Sequence, residues 1–306
     1  MNDSAAIETT DLTRSFIDNP AVDHLNLRIR KGELFGLVGP DGAGKTTTMR
    51  LLAAILEPSA GDATVAGHSI RNDAESVKEK IGYMPQRFGL YEDLTVMENI
   101  LFYADLYGVS RRERPPRIER LLGFSNLAPF KDRLAGKLSG GMKQKLGLAC
   151  ALVHTPEVLL LDEPTNGVDP VSRRDFWKIL YGLLKEGITI FVSTAYLDEA
   201  ERCMRVGLMH KGRIMMLDEP SAIKRSLPGS MIEFGARNAR AAAGIVRAAP
   251  GVRSVSVYGD RLHVLLDDRA QAGHVRNALD VAGVGVLSER EILPSLEDVF
   301  ISMVGK

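Results

Sequence analysis

The stretch "GPDGAGKT", residues 39–46, follows the apolar run "LFGLV" and opens "KTTTMRLLAAILE", whose apolar spacing predicts a helix over residues 45–57. It matches G-x-x-x-x-G-K-[ST] in the strand, loop and helix context that this motif requires. Gly39, Gly42 and Gly44 allow backbone N–H groups to turn inward around a triphosphate, and the helix start adds partial positive charge. The stretch therefore predicts a phosphate-binding loop in an α/β fold.

The side chains of this phosphate loop have separate expected roles. Lys45 is a catalytic group that reaches the terminal phosphates, and Thr46 is a magnesium ligand. Asp41 and Thr47 are further expected contacts to the nucleotide. The alternative, a glycine-rich turn with a solvated lysine, is disfavoured by the strand before the loop and the helix after it.

The segment "VLLLDEP", residues 158–164, reads as a buried strand that ends in two carboxylates. Burying such groups is costly unless a cation accompanies them. We expect Asp162 to hold magnesium and Glu163, on the opposite side of the strand, to polarise an attacking water. The alternative is a strand end that caps the next helix.

The signature segment "LSGGMKQK", residues 138–145, places Ser139, Gly140 and Gly141 just before a helix. It forms a second helix N-terminus able to bind an anion, although alone it is equally an ordinary N-cap. With the two nucleotide motifs, the chain resembles the ABC ATPases. In that family two ATPase domains pair head to tail, so this segment would contact ATP held by the partner's phosphate loop.

The resemblance covers residues 7–220 and extends to smaller motifs. Gln86, in "YMPQRFGLYEDLT", matches a catalytic glutamine that touches magnesium and water, and Asp169, in "NGVDP", matches the family's D-loop. Phe16 stands where an aromatic ring stacks on adenine, with a core phenylalanine as the alternative. The loop 87–95 is where such ATPases receive the coupling helices of a membrane partner. ATP and Mg²⁺ are the cofactors that the resemblance implies.

The segment "FVSTAYLDEAE", residues 191–201, departs from the family at one position. There the sequence usually reads S-T-H, with a histidine that contacts the γ-phosphate, but Ala195 stands in its place. Losing one preorganised contact typically costs about 10² to 10³ in rate. We therefore expect ATP binding to survive better than hydrolysis, and the chain to work beside a second ATPase domain with a complete site. A homodimer that tolerates alanine in both sites is the alternative.

The order of predicted elements indicates the architecture. Alternating strands and helices predict a parallel, layered core. We expect an α/β P-loop NTPase core of the ABC ATPase type over residues 1–225, with an antiparallel β subdomain and a helical subdomain at about 87–150. Beyond it the composition shifts to Ala, Arg, Val and Gly, which predicts a small accessory or regulatory α+β domain over 226–306.

Composition excludes several classes of function. The 306 residues include 39 Lys plus Arg and 39 Asp plus Glu, so there is no basic footprint for nucleic acid. Cys150 and Cys203 are too few for a disulfide framework and suit structural roles in a reducing compartment. No secretory signal is visible, and the apolar runs are far shorter than the roughly 18 to 20 residues of a membrane span. If the protein serves a membrane, we expect another chain to span it.

Two stretches narrow the resemblance. The C-terminal "LPSLEDVFISMVG" resembles ATPase subunits of ABC-2-type drug exporters, and "GLVGPDGAGKTT" resembles the N-terminal half of a two-ATPase bacterial efflux protein whose switch histidine is also replaced. The resemblance implies an ATPase at the cytoplasmic face of the inner membrane that drives efflux through separate permease subunits, as a homodimer or with a second ABC ATPase. The alternatives are a soluble ABC ATPase without a transporter and a regulatory ATP-binding protein with little hydrolysis.

Overall fold

The structure is a computed structural model that describes residues 4–17 and 19–304. Contacts divide the chain into two compact units, one ending at Leu217 and the other beginning at Asp218. No helix in the described ranges is long and apolar enough to cross a membrane.

The first unit is built of both strands and helices. Its strands are β1 (Ala5–Phe16), β2 (Asn19–Arg30), β3 (Leu34–Val38), β4 (Ala60–Val65), β5 (His68–Ser69), β6 (Ile81–Met84), β7 (Val158–Asp162), β8 (Thr189–Thr194), β9 (Arg205–His210) and β10 (Arg213–Asp218). Its helices are α1 (Lys45–Leu52), α2 (Ala74–Lys80), α3 (Val96–Leu106), α4 (Arg114–Phe124), α5 (Gly140–Leu152), α6 (Pro170–Lys185) and α7 (Leu197–Ala200).

These strands form two sheets, as the sequence predicted. An antiparallel sheet has the order β2-β1-β4-β5, and a six-stranded sheet has the order β10-β9-β3-β8-β7-β6. In the second sheet β6, β7, β8, β3 and β9 run parallel. Helices α3 to α5 supply the predicted helical region.

The centre of the parallel sheet is buried throughout. Every residue of β3, β7 and β8 is buried, as expected for strands covered on both faces. The register places Asp162 of β7 beside Ser193 of β8, and Val38 of β3 beside Thr194. The carboxyl ends of three strands therefore meet at one edge, which is where open α/β sheets bind ligands.

Helix α1 is shorter than predicted. It ends at Leu52 rather than at 57, because Ala54 adopts a left-handed backbone with φ of 52°. The N–H of Ala54 donates to Leu51 O (2.9 Å) and that of Ile55 to Arg50 O (3.0 Å), the pattern of a Schellman motif. Both bonds close the helix one turn early.

Both cysteines are buried free thiols, in keeping with the structural roles expected of them. Burial raises the pKa of each thiol, that of Cys203 to about 12, so neither is a reactive thiolate at neutral pH.

The second unit has its own sheet and core. Its elements are α8 (Pro220–Arg225), β11 (Ser230–Ala236), α9 (Ala239–Arg247), β12 (Val252–Tyr258), β13 (Arg261–Leu266), α10 (Ala272–Val281), β14 (Val286–Glu291) and α11 (Leu296–Val304). Helices α9 and α10 share an apolar core with the antiparallel sheet β12-β13-β11-β14. Helix α8 packs against α11, which is why the contacts divide the chain at Asp218; the domain boundary at 226 stays a prediction.

Candidate functional site

The phosphate loop is shaped by glycines that leave no room for a side chain. A Cβ on Gly39 would lie 2.2 Å from the carbonyl oxygen of Met209, and one on Gly44 would lie 2.2 Å from that of Ala21. Gly42 and Gly44 have φ of 77° and 110°, values that favour glycine. The chain therefore requires glycine here to pass from β3 into α1.

Lys45 begins α1 and is only 4% exposed. Its Nζ donates to Gly39 O (2.8 Å) and Pro40 O (3.1 Å) and lies 3.1 Å from Oε1 of Glu163. A buried ammonium group is tolerated only with such partners. The phosphate loop thus holds a positive charge at the carboxyl edge of the parallel sheet.

Asp162 ends β7 and is 1% exposed. Its Oδ1 accepts hydrogen bonds from Ser193 Oγ (2.6 Å) and Thr46 Oγ1 (3.2 Å), whereas its Oδ2 has no hydrogen-bond partner in the described part of the chain. A buried oxygen of this kind normally has a partner.

A carboxylate beside a threonine hydroxyl fits Mg²⁺, which usually takes one or two protein ligands together with substrate phosphates. The described residues contain no group of three His, Cys, Asp or Glu side chains that could hold a metal ion. Asp162 and Thr46 are two oxygen ligands of the kind that Mg²⁺ takes from protein.

Glu163 follows β7 with a left-handed backbone, φ 49°, which costs about 1–3 kcal/mol for a residue other than glycine. Its N–H donates to both the carbonyl and the hydroxyl oxygen of Ser193, each at 3.1 Å. Its Oε2 accepts from Gln86 Nε2 (3.0 Å) and Asn166 Nδ2 (3.4 Å). These contacts, with the Lys45 ion pair, hold a strained residue in one orientation.

A cavity of about 550 Å³ lies at this edge of the sheet. The predicted site residues that line it are Phe16, Asp41, Gly42, Gly44, Lys45, Thr46, Thr47, Gln86 and Glu163. The ring of Phe16 is 47% exposed, so it is not a core phenylalanine, and the guanidinium of Arg14 lies 4.8 Å from its centroid. The cavity is thus lined by an exposed aromatic ring as well as by an ammonium and a carboxylate group.

The signature segment does not line this cavity. Ser139 caps α5 by accepting from Met142 N–H (3.3 Å), and both Ser139 and Gly140 are exposed. Gly141 is buried, and a Cβ there would lie 2.5 Å from Cβ and Oγ of Ser172 on α6. The segment is therefore packed on its inner side and open to a partner on its outer side.

The predicted D-loop residue Asp169 also lies outside the cavity and caps α6. Its Oδ1 accepts from the N–H groups of Val171 (3.1 Å) and Ser172 (3.0 Å). A hydrogen bond from the Ser172 hydroxyl, together with these N–H groups, lowers the pKa of Asp169. The cap fixes the start of α6 beside the signature segment.

The end of β8 contrasts with the end of β7. Thr194 is buried, and its Oγ1 donates to Glu199 Oε2 (3.0 Å) and accepts from Tyr196 N–H (3.0 Å). Ala195 follows and is exposed, and it is not among the residues that line the cavity. The position where the family carries histidine thus offers no polar side chain.

Sequence reasoning missed Ser193 and Asn166. Ser193 bonds both Asp162 and the N–H of Glu163, and Asn166 lines the cavity. A serine directly after the apolar run "TIFV" was a usable signal, because it places a polar group at a strand end as the two carboxylates do.

Comparisons with known proteins agree with this geometry. A family model described as "ABC transporter" matches residues 22–166, and one described as "ATP-binding protein DrrA1-3-like, C-terminal domain" matches residues 219–304. The probable multidrug ABC transporter ATP-binding protein YbhF of Escherichia coli K12 is 46% identical over 310 residues, which cover 100% of this chain and 53% of YbhF. The chain therefore spans about half the length of that relative.

Two further matches extend over almost the whole length of the matched protein. The bacitracin transport ATP-binding protein BcrA of Bacillus licheniformis is 33% identical over 304 residues, 99% of this chain and 98% of BcrA. A dimeric ATP-binding cassette solved in a post-hydrolysis state with ADP and Pi has a TM-score of 0.63 and 25% identity, covering 70% of this chain and 98% of that one. Since the similarity to BcrA runs through both units, the chain belongs to the ABC transporter family as an ATP-binding protein with a DrrA-like C-terminal domain.

Proposed function

We propose that this chain binds and hydrolyses ATP with Mg²⁺ as the nucleotide-binding subunit of an ABC exporter. The observation that supports this most is the convergence of Lys45, Gln86 and Glu163 on one cavity at the carboxyl edge of the parallel sheet.

ATP would lie in the cavity with its phosphates against the loop. The ammonium of Lys45 would exchange its contacts with Glu163 for phosphate oxygens, which carry more negative charge. Phe16 would stack on adenine, and Asp41 and Thr47 would add contacts at the loop. Thr46, Asp162 and Gln86 would hold Mg²⁺, which supplies positive charge to the phosphates.

Glu163 would then act as the general base towards the attacking water. Release from Lys45 frees its carboxylate to accept a proton, and the amide of Gln86 keeps Oε2 in place. A positioned base of this kind typically contributes about 10² to 10⁴ in rate.

The chain would work as one half of a pair of ATPase domains. Ser139, Gly140 and Gly141 would contact ATP held by the partner, as Asp169 would contact the partner's side of the interface. Ala195 favours an unequal pair in which the second domain has a complete site, and the match to about half of YbhF fits that arrangement. A homodimer is the alternative.

Export is supported by the named relatives, a probable multidrug transporter protein and a bacitracin transport protein. The chain would sit peripherally at the cytoplasmic face of the inner membrane on ABC-2-type permease subunits, contacting them through the loop 87–95. The second unit would be an accessory or regulatory domain. The alternatives are a soluble ABC ATPase without a permease and a regulatory ATP binder with little hydrolysis. Neither would couple ATP hydrolysis to transport.

The test combines chemistry and transport. ATP binding and single-turnover hydrolysis of the purified chain are measured with Mg²⁺ and with a chelator, and drug accumulation is measured in cells expressing the chain with a candidate permease. We expect Mg²⁺-dependent hydrolysis and lower accumulation, both lost in Glu163→Gln. Hydrolysis without any permease-dependent change in accumulation would favour the soluble ATPase.

A further inference from the structure

Glu199 on α7 carries a carboxylate that is completely buried, with 0% exposure. Its Oε1 accepts a hydrogen bond from Thr165 Oγ1 and lies 3.3 Å from Nε of Arg173. Its Oε2 accepts from Thr194 Oγ1 at 3.0 Å. A buried charge is costly unless it is paired and hydrogen-bonded, and these three side chains supply the ion pair and the hydrogen bonds.

The three partners belong to different elements. Thr194 ends β8, Arg173 lies in the first turn of α6, and Thr165 lies in the loop 163–169 between β7 and α6. Glu199 therefore ties the end of β8 to the segment that follows β7.

The 163–169 loop is compact. The N–H of Asn166 donates to Glu163 O (3.1 Å), and the N–H of Val168 donates to Thr165 O (3.1 Å). Because consecutive turns share Thr165, a displacement of that residue would move both ends of the loop.

The two ends of the loop reach two different places. Glu163 at one end faces the nucleotide cavity. At the other end, Val168 and Ser172 pack against Gly141 of the signature segment, where a Cβ would lie 3.6 Å from Val168 Cγ1. The loop thus connects this chain's own cavity to the segment that would contact a partner's nucleotide.

We propose that Glu199 is a positioning residue that holds the 163–169 loop against the end of β8 and thereby sets the orientation of Glu163 towards the nucleotide. The inference rests on the proposed hydrolytic role of Glu163. Ala195 has no polar side chain that could contact this loop. The hydrogen bonds from Thr194 to Glu199 and from Thr165 to Glu199 instead connect the end of β8 to the loop.

The experiment uses the full chain and four variants. Glu199→Gln keeps the size of the side chain but replaces one acceptor oxygen with an amide donor. Thr165→Val removes the hydroxyl that donates to Glu199 Oε1, and it tests the same contact if Glu199→Gln does not fold. Thr165→Ser retains a hydroxyl.

Glu33→Gln is the matched control. Glu33 is also buried, at 3% exposure, with Arg205 Nη1 at 3.1 Å and a hydrogen bond from Arg30 N–H at 2.8 Å. It precedes β3 at the edge of the sheet opposite the phosphate loop, so it matches Glu199 in burial and pairing but not in position.

The readouts are the single-turnover rate of ATP hydrolysis, the ATP dissociation constant, the melting temperature and amide hydrogen exchange in residues 163–169. We expect Glu199→Gln and Thr165→Val to lower the rate about tenfold, since small misplacements of a catalytic group have large effects, while ATP affinity changes less than about threefold. Amide hydrogen exchange in residues 163–169 becomes faster in both variants. Thr165→Ser keeps the parent values, and Glu33→Gln lowers only the melting temperature.

Three results would overturn the inference: a parent-like rate in Glu199→Gln, an equal loss of rate in Glu33→Gln, or unchanged exchange in the loop. A parent chain that binds ATP but shows no hydrolysis would instead contradict the proposed function. In that case the exchange data still decide whether Glu199 fixes the loop.

Discussion

Strands β7 and β8 lie side by side and end at the same edge of the sheet, yet they deliver opposite kinds of residue to it. The end of β7 carries two carboxylates, Asp162 and Glu163, each held by several contacts. The end of β8 carries Thr194, whose hydroxyl is turned to a buried partner, and then Ala195, an exposed methyl group. The groups expected to bind nucleotide and metal are therefore present, and the missing one is a group expected to act in turnover.

This difference separates affinity from rate. Contacts made equally in the bound and transition states set how tightly ATP binds, whereas contacts made only in the transition state set how fast it reacts. The phosphate loop and Asp162 supply the first kind, and Glu163 and position 195 belong to the second. The following substitutions test that separation.

The largest effect is expected from Glu163→Gln. Removing the base should lower the single-turnover rate by about 10² to 10⁴, because a positioned base contributes on that scale. The neutral amide no longer pairs with Lys45, so ATP affinity should stay equal or rise. Rapid-quench hydrolysis and equilibrium ATP binding measure the two effects.

Glu157→Gln is the matched control for that substitution. Glu157 precedes β7 at its opposite end, where its exposed side chain pairs with Lys80 at 2.9 Å. It should keep the parent rate. A Glu163→Gln variant as fast as the parent would mean that another group activates the water.

Ala195→His is expected to have the next largest effect, in the opposite direction. A histidine there would restore a contact to the γ-phosphate, raising the rate by about 10- to 100-fold with ATP affinity unchanged within about threefold. The position is exposed, so the larger side chain displaces no core. Steady-state hydrolysis at saturating ATP is the measurement.

Ala195→Leu adds bulk without a hydrogen-bond donor and should not accelerate hydrolysis. If the parent is already fast and histidine adds nothing, alanine is tolerated and the homodimer becomes the better account of the assembly.

Much of this site could be predicted because its motifs are contiguous in sequence. The glycines, Lys45 and Thr46 belong to one motif of eight residues. The apolar strand before Asp162 and Glu163 indicates that these two carboxylates follow a buried segment. Local spacing likewise predicted the helix after the phosphate loop and the buried strand before Asp162. The early end of α1 escaped prediction because it depends on a left-handed Ala54, a conformation that alanine does not signal.

The remaining contacts depend on pairings between distant segments. Ser193 meets Asp162 only because β8 pairs with β7 in one register, and Glu199 meets Thr165 across 34 residues of sequence. A shift of one residue in the pairing of β8 with β7 would turn Ser193 to the other face of the sheet. The sequence therefore revealed the reacting groups more readily than the groups that orient them.

Ser193→Ala tests the junction of the two strands directly. The hydroxyl donates to Asp162 Oδ1 at 2.6 Å and accepts from Glu163 N–H at 3.1 Å, so its loss removes one hydrogen bond from each of two groups and should cost about 1–3 kcal/mol of stability. Misplacement of Glu163 should also lower the hydrolysis rate about tenfold.

Thr189→Val, at the other end of β8, separates these two effects. Thr189 is 2% exposed and accepts a hydrogen bond from Gly32 N–H at 3.0 Å. The variant should lose stability without losing rate. Equal rates in both variants would show that the junction supports the fold but does not orient Glu163.

The smallest effect is expected where the loop after β7 meets the signature segment. Alanine is favoured over glycine in a helix by up to about 1 kcal/mol, so Gly140→Ala, with no atom within 4 Å of the added Cβ, should raise the free energy of unfolding slightly. Gly141→Ala should lower it by about 1–3 kcal/mol, because its Cβ would lie 2.5 Å from Ser172. Trp177, the sole tryptophan, is buried on α6 and reports unfolding of the first unit by fluorescence. If both variants shifted the free energy of unfolding in the same direction, α5 and α6 would move apart easily. The loop after β7 would then be held no more firmly than the exposed segment after β8.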